Sequence, residues 1–232
     1  MIYVISDLHG YPFEGFMELL KKAGFSDDDF LYALGDVVDR GKNGIDYLLW
    51  FKEQNNAELL LGNHEVMMRK CDFLFHPDAI ELMEKLDNDQ RVNLGIWMYN
   101  GAEETIRGLF AISQEKRQEL FRYLCTLAPY RTVKVGGREF VLTHSGLRDF
   151  SPQKSLDDYS LHDLVWNRPE LTDRYYEDKM VVFGHTPSWK FGEEYEGKII
   201  ITDTWIDIDA GAGRGLSPVL LRLDDMAQFS LG

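Results

Sequence analysis

Five apolar runs in this chain each lead directly into a residue able to bind a metal ion or move a proton. Ile2–Ser6 is followed by Asp7 and His9, Phe30–Leu34 leads through Gly35 to Asp36, and Ala57–Leu61 leads through Gly62 to Asn63 and His64. Further on, Phe140–Thr143 ends at His144, and Met180–Phe183 leads through Gly184 to His185. Singly, each has a plainer explanation: an Asp after a strand is often a turn former, and Gly62-Asn63 reads as a glycine turn at a helix start. Jointly they offer six oxygen and imidazole donors (Asp7, His9, Asp36, Asn63, His144, His185) and no thiolate. Such donors suit Mn, Fe or Zn in a catalytic setting rather than a structural zinc site. Six are too many for one ion that keeps an open position, and they fit two ions sharing a bridging carboxylate. A two-ion centre clamps the attacking and leaving oxygens of an in-line displacement and activates water, which is phosphoester chemistry.

For these residues to meet, the runs must be strands whose carboxyl ends converge, because sites in open α/β sheets form beyond the carboxyl ends of strands. The spacing supports this. Phe13, Phe16, Leu19 and Leu20 predict a helix ending near Gly24, and Ile45, Leu48, Leu49 and Phe51 predict a second. The resulting βαβαβ order predicts a largely parallel sheet over the first sixty residues. From about 66 to 128 the strand signals stop and helical spacing takes over, predicting a helical cap inserted into one domain spanning 1–232. Arg131–Val135, Gly136-Gly137 and Arg138–Thr143 read as a hairpin. A helix near Leu156–Trp166 and strands at Met180–Phe183, Ile199–Thr202, Trp205–Ile208 and Pro218–Leu223 complete an α/β chain.

Composition removes several classes. The chain has 232 residues, and 25 Lys+Arg against 39 Asp+Glu give a net charge of −14. That balance opposes coating of nucleic acid, which demands basic patches, yet leaves room for a small phosphate site in which metal ions carry the positive charge. No window approaches a membrane span, and the first residues lack the basic flank of a signal peptide. With only Cys71 and Cys125, neither in a CxxC pair, a cytoplasmic setting is expected, with both thiols packed in the cap. His76 and His162 fall outside every motif, Asp27-Asp28-Asp29 reads as a solvated turn, and Gly211, Gly213 and Gly215 read as a tight turn closing the sheet.

The ordered motifs Asp7-Leu8-His9-Gly10, Gly35–Gly41, Gly62–Glu65, Thr143–Leu147 and Gly184–Pro187, with Trp166-Asn167-Arg168, resemble the calcineurin-like metallophosphoesterases. Within them the chain is most similar to the protein phosphatase branch that includes the lambda-phage-type bacterial enzymes, from Ile2 to about Leu223. The resemblance implies a sandwich of mixed β-sheets flanked by helices with a helical cap. It implies that Asp7 and His9 hold a first divalent ion, that Asp36 bridges, and that Asn63, His144 and His185 complete a second, with Mn2+ favoured over Fe or Zn. His64 would be the general acid oriented by Asp39, while Arg40, Arg168 and Asn63 grip the phosphoryl group. Attack would come directly from metal-activated hydroxide, with no phosphoenzyme. Asp39 before Arg40 and Glu65 after His64 favour a serine/threonine phosphatase, with tyrosine within reach, over the symmetrical dinucleoside tetraphosphate hydrolases. The latter lack that aspartate and tend to have Asp after the histidine. Trp97–Ala102 resembles the phage-type Trp, then Asn-Gly-Gly cap pattern but departs from it at Ala102. Either phosphorylated proteins or small phosphoesters are the expected substrates. A regulatory metal-holding module with little turnover is the alternative of another class, though no ligand, acid or arginine is missing.

Overall fold

The computed structural model describes residues 1–231. The chain begins with β1 (Ile2–Ile5), α1 (Phe13–Ala23), β2 (Phe30–Ala33), α2 (Gly44–Glu53) and β3 (Ala57–Leu59). Each strand stops short of the end of its apolar run: Ser6, Leu34, Leu60 and Leu61 are buried but already belong to the loops beyond. Helix α1 ends where expected because Gly24 takes a left-handed φ of 73° and its N–H closes onto Leu20 and Lys21.

Helices then follow without interruption by strands: α3 (Asn63–Lys70), α4 (Ala79–Glu84), α5 (Asn88–Tyr99), α6 (Glu103–Ala111) and α7 (Gln114–Thr126). The helical stretch starts at Asn63, earlier than the change in apolar spacing near Val66, because Asn63 and His64 form the first turn of α3. These helices share a core with the sheet: Trp97, Leu109, Leu120 and Leu124 join Tyr47 and Leu48 of α2 and Tyr3, Ile5 and Leu31 of β1 and β2 in one apolar cluster. Cys71 is buried in that cluster, whereas Cys125 is exposed on α7, where the helical register turns it outward, contrary to the expectation of packing.

The second half supplies β4 (Tyr130–Val135), β5 (Arg138–Thr143), α8 (Leu161–Val165), β6 (Lys179–Phe183), β7 (Ile200–Ile201), β8 (Trp205–Asp207), β9 (Leu220–Arg222) and β10 (Gln228–Phe229). The helix expected over Leu156–Trp166 is broken in two. Ser155 caps a short 3-10 turn and Ser160 caps α8, so the stretch contains two helix starts rather than one. Strand β10 is too short to leave an alternation in the sequence. Asp29 also departs from the solvated turn: it is buried, accepts from the Met1 ammonium at 2.8 Å, and is held below the usual carboxylate range because the hydrogen bonds from Met1 and Ser26 outweigh its burial.

Two five-stranded mixed sheets result, in the orders β10-β9-β1-β2-β3 and β4-β5-β6-β8-β7. In the first, β1, β2 and β3 are parallel, and in the second β5, β6 and β8 are parallel; the flanking strands run antiparallel. Strand alternation divides the core. Val4, Phe140, Leu142, Met180, Val182 and Ile206 face the space between the sheets. Tyr3, Ile5, Val141, Val181 and Phe183 turn the other way. Both faces are covered, which explains the unbroken apolar runs. The consequence for the site is directional: the parallel trio of each sheet ends at the same edge of the sandwich.

Candidate active site

Backbone bonds lace the strand-end loops together before any side chain is considered. Asp7, His9 and Gly10 donate N–H groups to Gly35, Asp36 and Val37 at 3.1, 2.9 and 2.9 Å, tying the loop after β1 to the loop after β2. The two sheets meet through His144, whose Nδ1 donates to the Leu34 carbonyl at 2.7 Å, and through His185, whose N–H donates to Asp7 Oδ2 at 2.9 Å. Glu65 is the knot of this region. Its buried carboxylate accepts from the N–H groups of Asp36, Val37 and Gly62 at 2.8, 3.0 and 3.0 Å. Burial first, and Asp36 second, push the Glu65 carboxyl up to about 7. A charged or neutral Glu fits here only because three donors await it.

The backbone is bent to aim these side chains. Asp7, His9, Asp36, Asp39, Arg40 and His185 all take left-handed φ between 44° and 72°; outside the site only Asp149 and Met226 do so among the described non-glycine residues. Such conformations cost about 1–3 kcal/mol each. Glycines make the remaining room. A Cβ on Gly184 would fall 2.2 Å from Asp7 Oδ2, and one on Gly62 would fall 2.1 Å from Asp36 Oδ1. We expect Gly184→Ala to shift Asp7, weaken metal affinity roughly 10- to 100-fold, and leave a cooperative urea transition. Full metal content in the purified variant would contradict this.

All the proposed ligand side chains are buried and converge. Asp36 lies at the centre: Oδ2 is 3.6 Å from His9 Nε2 and 3.7 Å from His64 Nε2, while Oδ1 is 3.4 Å from His144 Nε2. His9 Nε2 is 3.8 Å from Asp7 Oδ1, and His144 Nε2 is 2.9 Å from Asn63 Oδ1. Two groups of donors, His9-Asp36-His64 and Asp36-His144-His185, each fall within 4.8 Å. Donors bound at about 2.1 Å to one ion stand about 3–3.4 Å apart, so these spacings suit cations shared between them. His185 Nε2 is buried with no hydrogen-bond partner. The Nδ1 atoms of His9 and His144 are both set against backbone carbonyls, of Val38 and Leu34, which leaves Nε2 as the free lone pair. The donor chemistry therefore fits divalent cations, which these buried residues around Asp36 would hold.

On the protein's own charges alone, the cluster balances itself by redistributing protons. Burial pushes the Asp7 carboxyl up. Burial would also raise Asp36, but His144, His64 and His9 outweigh it and hold that carboxyl well below the usual range. Burial drives His9 and His185 well down into the neutral, ligand-competent form. In His144 burial is overcome by Asp36 and Asp7, which hold the imidazole at about 10, a charge that a cation would displace.

His64 differs from the other histidines. Its Nδ1 lies 2.6 Å from Asp39 Oδ2, which also accepts from Trp97 Nε1 at 2.7 Å, while the Asp39 N–H donates to Thr105 Oγ1. Burial lowers His64, but Asp36 and Asp39 more than compensate and raise the ring above its ordinary value. Trp97 is thus both core and functional support; Tyr99, two residues on, is 90 % exposed and packs against nothing comparable. Arg40 and Arg168 stand exposed at the rim of an open cavity of about 410 Å³ whose floor is the cluster. Arg168 is anchored by its Nη1 on the His185 carbonyl at 3.0 Å, and the Arg40 N–H on the Gly101 carbonyl at 2.8 Å. Ala102 is buried at the start of α6, away from the cavity lining. His76 and His162 are exposed and outside the site.

Sequence reasoning missed Asp207 and Asp209. Both are buried, burial pushes both carboxyls well up with further help from each other's region of negative charge (Asp209 for Asp207, Asp7 for Asp209), and Asp209 lines the cavity. The signal was present: the run Trp205–Ile208 ends directly at Asp209. The glycine-rich turn after it does more than close a sheet, since Gly213 packs so closely on Arg40 and His9 that a Cβ would fall 2.3 Å from Arg40 Nη1.

A family model described as calcineurin-like phosphoesterase matches residues 1–207. Serine/threonine-protein phosphatase 1 of Salmonella typhimurium is 26% identical over 199 residues, covering 80% of this chain and 78% of the relative. A symmetrical bis(5'-nucleosyl)-tetraphosphatase of Buchnera aphidicola subsp. Acyrthosiphon pisum is 31% identical over 100 residues, a match covering 36% of each chain, so this chain aligns with little more than a third of that relative's length. Among solved structures, one provisionally named a diadenosine tetraphosphatase superposes with a TM-score of 0.63 at 17% identity, covering 99% of this chain and 92% of the other. A protein serine/threonine phosphatase of Saccharomyces cerevisiae superposes with a TM-score of 0.59 at 16% identity, covering 94% and 71%. At these identities the superpositions speak for the fold.

Proposed function

The chain belongs to the calcineurin-like phosphoesterases, hydrolases of phosphoric esters, and from that premise we propose that it removes phosphate from phosphoserine and phosphothreonine side chains of proteins. The observation that carries the reading is the Asp39–His64 contact at 2.6 Å, braced by Trp97. Serine and threonine leave as alkoxides, which are poor leaving groups unless protonated as the bond breaks. A dinucleoside tetraphosphate instead releases a nucleoside diphosphate, already stable as an anion, and needs no such acid. A buried imidazole held by a carboxylate that is itself braced is therefore best explained by an alkoxide leaving group.

In this reading Asp7, His9, Asp36, Asn63, His144 and His185 hold two divalent ions, Mn2+ suiting the mixed oxygen and imidazole donors. When bound, such ions supply Lewis-acid charge and a nucleophile from water. Arg40 and Arg168 draw the phosphoryl oxygens to the rim with planar guanidinium groups, and the Asn63 amide helps orient them. His64 delivers its Nε2 proton to the departing oxygen while Asp39 holds Nδ1 and stabilises the charged ring. Trp97 keeps Asp39 from turning away. Among the described residues, no helix is long and apolar enough to cross a membrane.

The second reading, symmetrical hydrolysis of dinucleoside tetraphosphates, is favoured by the name of the relative 31% identical over part of the chain. A substrate panel separates them. In Mn2+, kcat/KM for phosphoserine or phosphothreonine peptides is expected to exceed that for dinucleoside tetraphosphate by at least about tenfold, a difference of about 1.4 kcal/mol in transition-state binding. Preference for the dinucleotide by orders of magnitude overturns the protein phosphatase reading and leaves the phosphoesterase intact.

A further inference from the structure

The cavity holds more positive charge than one phosphate needs. Besides Arg40 and Arg168, its wall includes Lys190 and Arg214, both exposed. Of the 25 basic residues, eight pair with a carboxylate, Lys52, Arg131 and Lys179 among them, so what sets the cavity cations apart is their gathering around one opening. Among the described residues, none of Arg40, Arg168, Lys190 and Arg214 has a carboxylate oxygen within the 4.0 Å of an ion pair. Even Glu193 and Glu194, just beyond Lys190 in sequence, make no ion pair with it; Glu194 instead offers its backbone carbonyl to Lys198.

Lys190 and Arg214 are also held in place. Both lie against Trp189: the Arg214 guanidinium sits 3.9 Å from the indole centroid and the Lys190 ammonium 5.5 Å from it. A cation over an indole is restrained without being neutralised, so its charge stays available to a ligand. The placement relative to the first arginines is ordered. Gly213, immediately before Arg214, packs against Arg40, while Lys190 and Arg168 line a shared surface depression. Arg40 thus has the chain segment leading to Arg214 packed against it, and Arg168 shares a depression with Lys190.

We propose that Lys190 and Arg214, carried on Trp189, form a second anion subsite that binds a further phosphate group of the substrate, next to the one being cleaved. The proposal rests on the reading of the cluster as a phosphoesterase centre. The same chemistry is offered by a second phosphorylated side chain in a peptide or by the next phosphate of a polyphosphate chain.

The test compares a substrate holding one phosphate with one holding two or more in each form: a monophosphorylated against a doubly phosphorylated peptide, and p-nitrophenyl phosphate against dinucleoside tetraphosphate. In the Lys190→Ala/Arg214→Ala double variant the preference for the substrate with more than one phosphate is expected to fall about tenfold, equivalent to about 1.4 kcal/mol, in the arm that matches the natural source. Lys190→Arg/Arg214→Lys should retain it. Calorimetry adds a readout that needs no turnover: with Mn2+-loaded protein, the affinity ratio of inorganic tripolyphosphate to inorganic phosphate should fall by the same factor. Unchanged ratios in both arms and in calorimetry overturn the subsite, as does an equal loss on every substrate, which would mark a structural role. A wild-type protein that hydrolyses none of the four substrates defeats the phosphoesterase reading instead, and calorimetry still decides the subsite.

Discussion

His64→Ala is expected to lower kcat on a phosphoserine peptide by about 10²–10⁴-fold, the contribution of a positioned proton donor, while the protein still holds two divalent ions per chain. The two halves of this result are both needed. His64 Nε2 is 3.7 Å from Asp36 Oδ2, nearly as close as His9 Nε2 at 3.6 Å, so proximity alone does not separate an acid from a ligand. What separates them is the other ring nitrogen. His9 presents Nδ1 to a neutral carbonyl, whereas His64 presents it to Asp39, which favours the charged, proton-carrying ring. Leaving-group dependence sharpens the result. With p-nitrophenyl phosphate, whose leaving group is stable as an anion near neutral pH, the loss should shrink to about tenfold or less. An equal loss on both substrates, accompanied by one missing ion, would make His64 a ligand and empty the acid assignment.

The geometry explains what was legible in the sequence. Six parallel strands, three per sheet, end at one edge, and each is followed by a polar residue of the cluster: Asp7, Asp36, Asn63, His144, His185 and Asp209. A strand buried on both faces leaves an unbroken apolar run, so the polar residue that ends it stands out without any knowledge of contacts. Asp209 obeyed the same rule and was overlooked because the glycines after it suggested only a turn. Contacts between elements distant in sequence left no such mark. The Trp97–Asp39 bond joins α5 to the loop after β2, and nothing in local spacing distinguishes a tryptophan that packs from one that also donates a hydrogen bond. Glu65 is similar: it stands out only as a mark of resemblance after His64, and only the folded chain shows the backbone of β2's loop closing on its carboxylate. Lys190 and Arg214 were silent for a third reason. Basic side chains are usually solvated or paired, and being unpaired beside a cavity is a property of the assembled surface.

The largest effect is expected at the centre of the cluster. Asp36→Asn preserves shape and one carbonyl oxygen but replaces the second oxygen with an amide nitrogen that has no lone pair to give. The native carboxylate faces both donor groups, with Oδ2 toward His9 and Oδ1 toward His144 and also accepting the His64 N–H at 3.0 Å. That backbone bond fixes the amide oxygen on the Oδ1 side, so the nitrogen is left facing His9 and Asp7. The ion shared with those two residues should then be lost, and metal content measured on purified protein should fall from two per chain to one or fewer. Turnover on every phosphoester, including p-nitrophenyl phosphate, should fall by about 10⁴-fold, because several kcal/mol of charge stabilisation and the clamp on both oxygens disappear together. Unlike His64→Ala, the loss should not depend on the leaving group. Thermal unfolding supplies a measurement independent of activity: Mn2+ should raise the midpoint of the native protein by mass action and move the variant much less. Two retained ions with a tenth or more of native turnover would remove Asp36 from its bridging position and require the two donor groups to act separately.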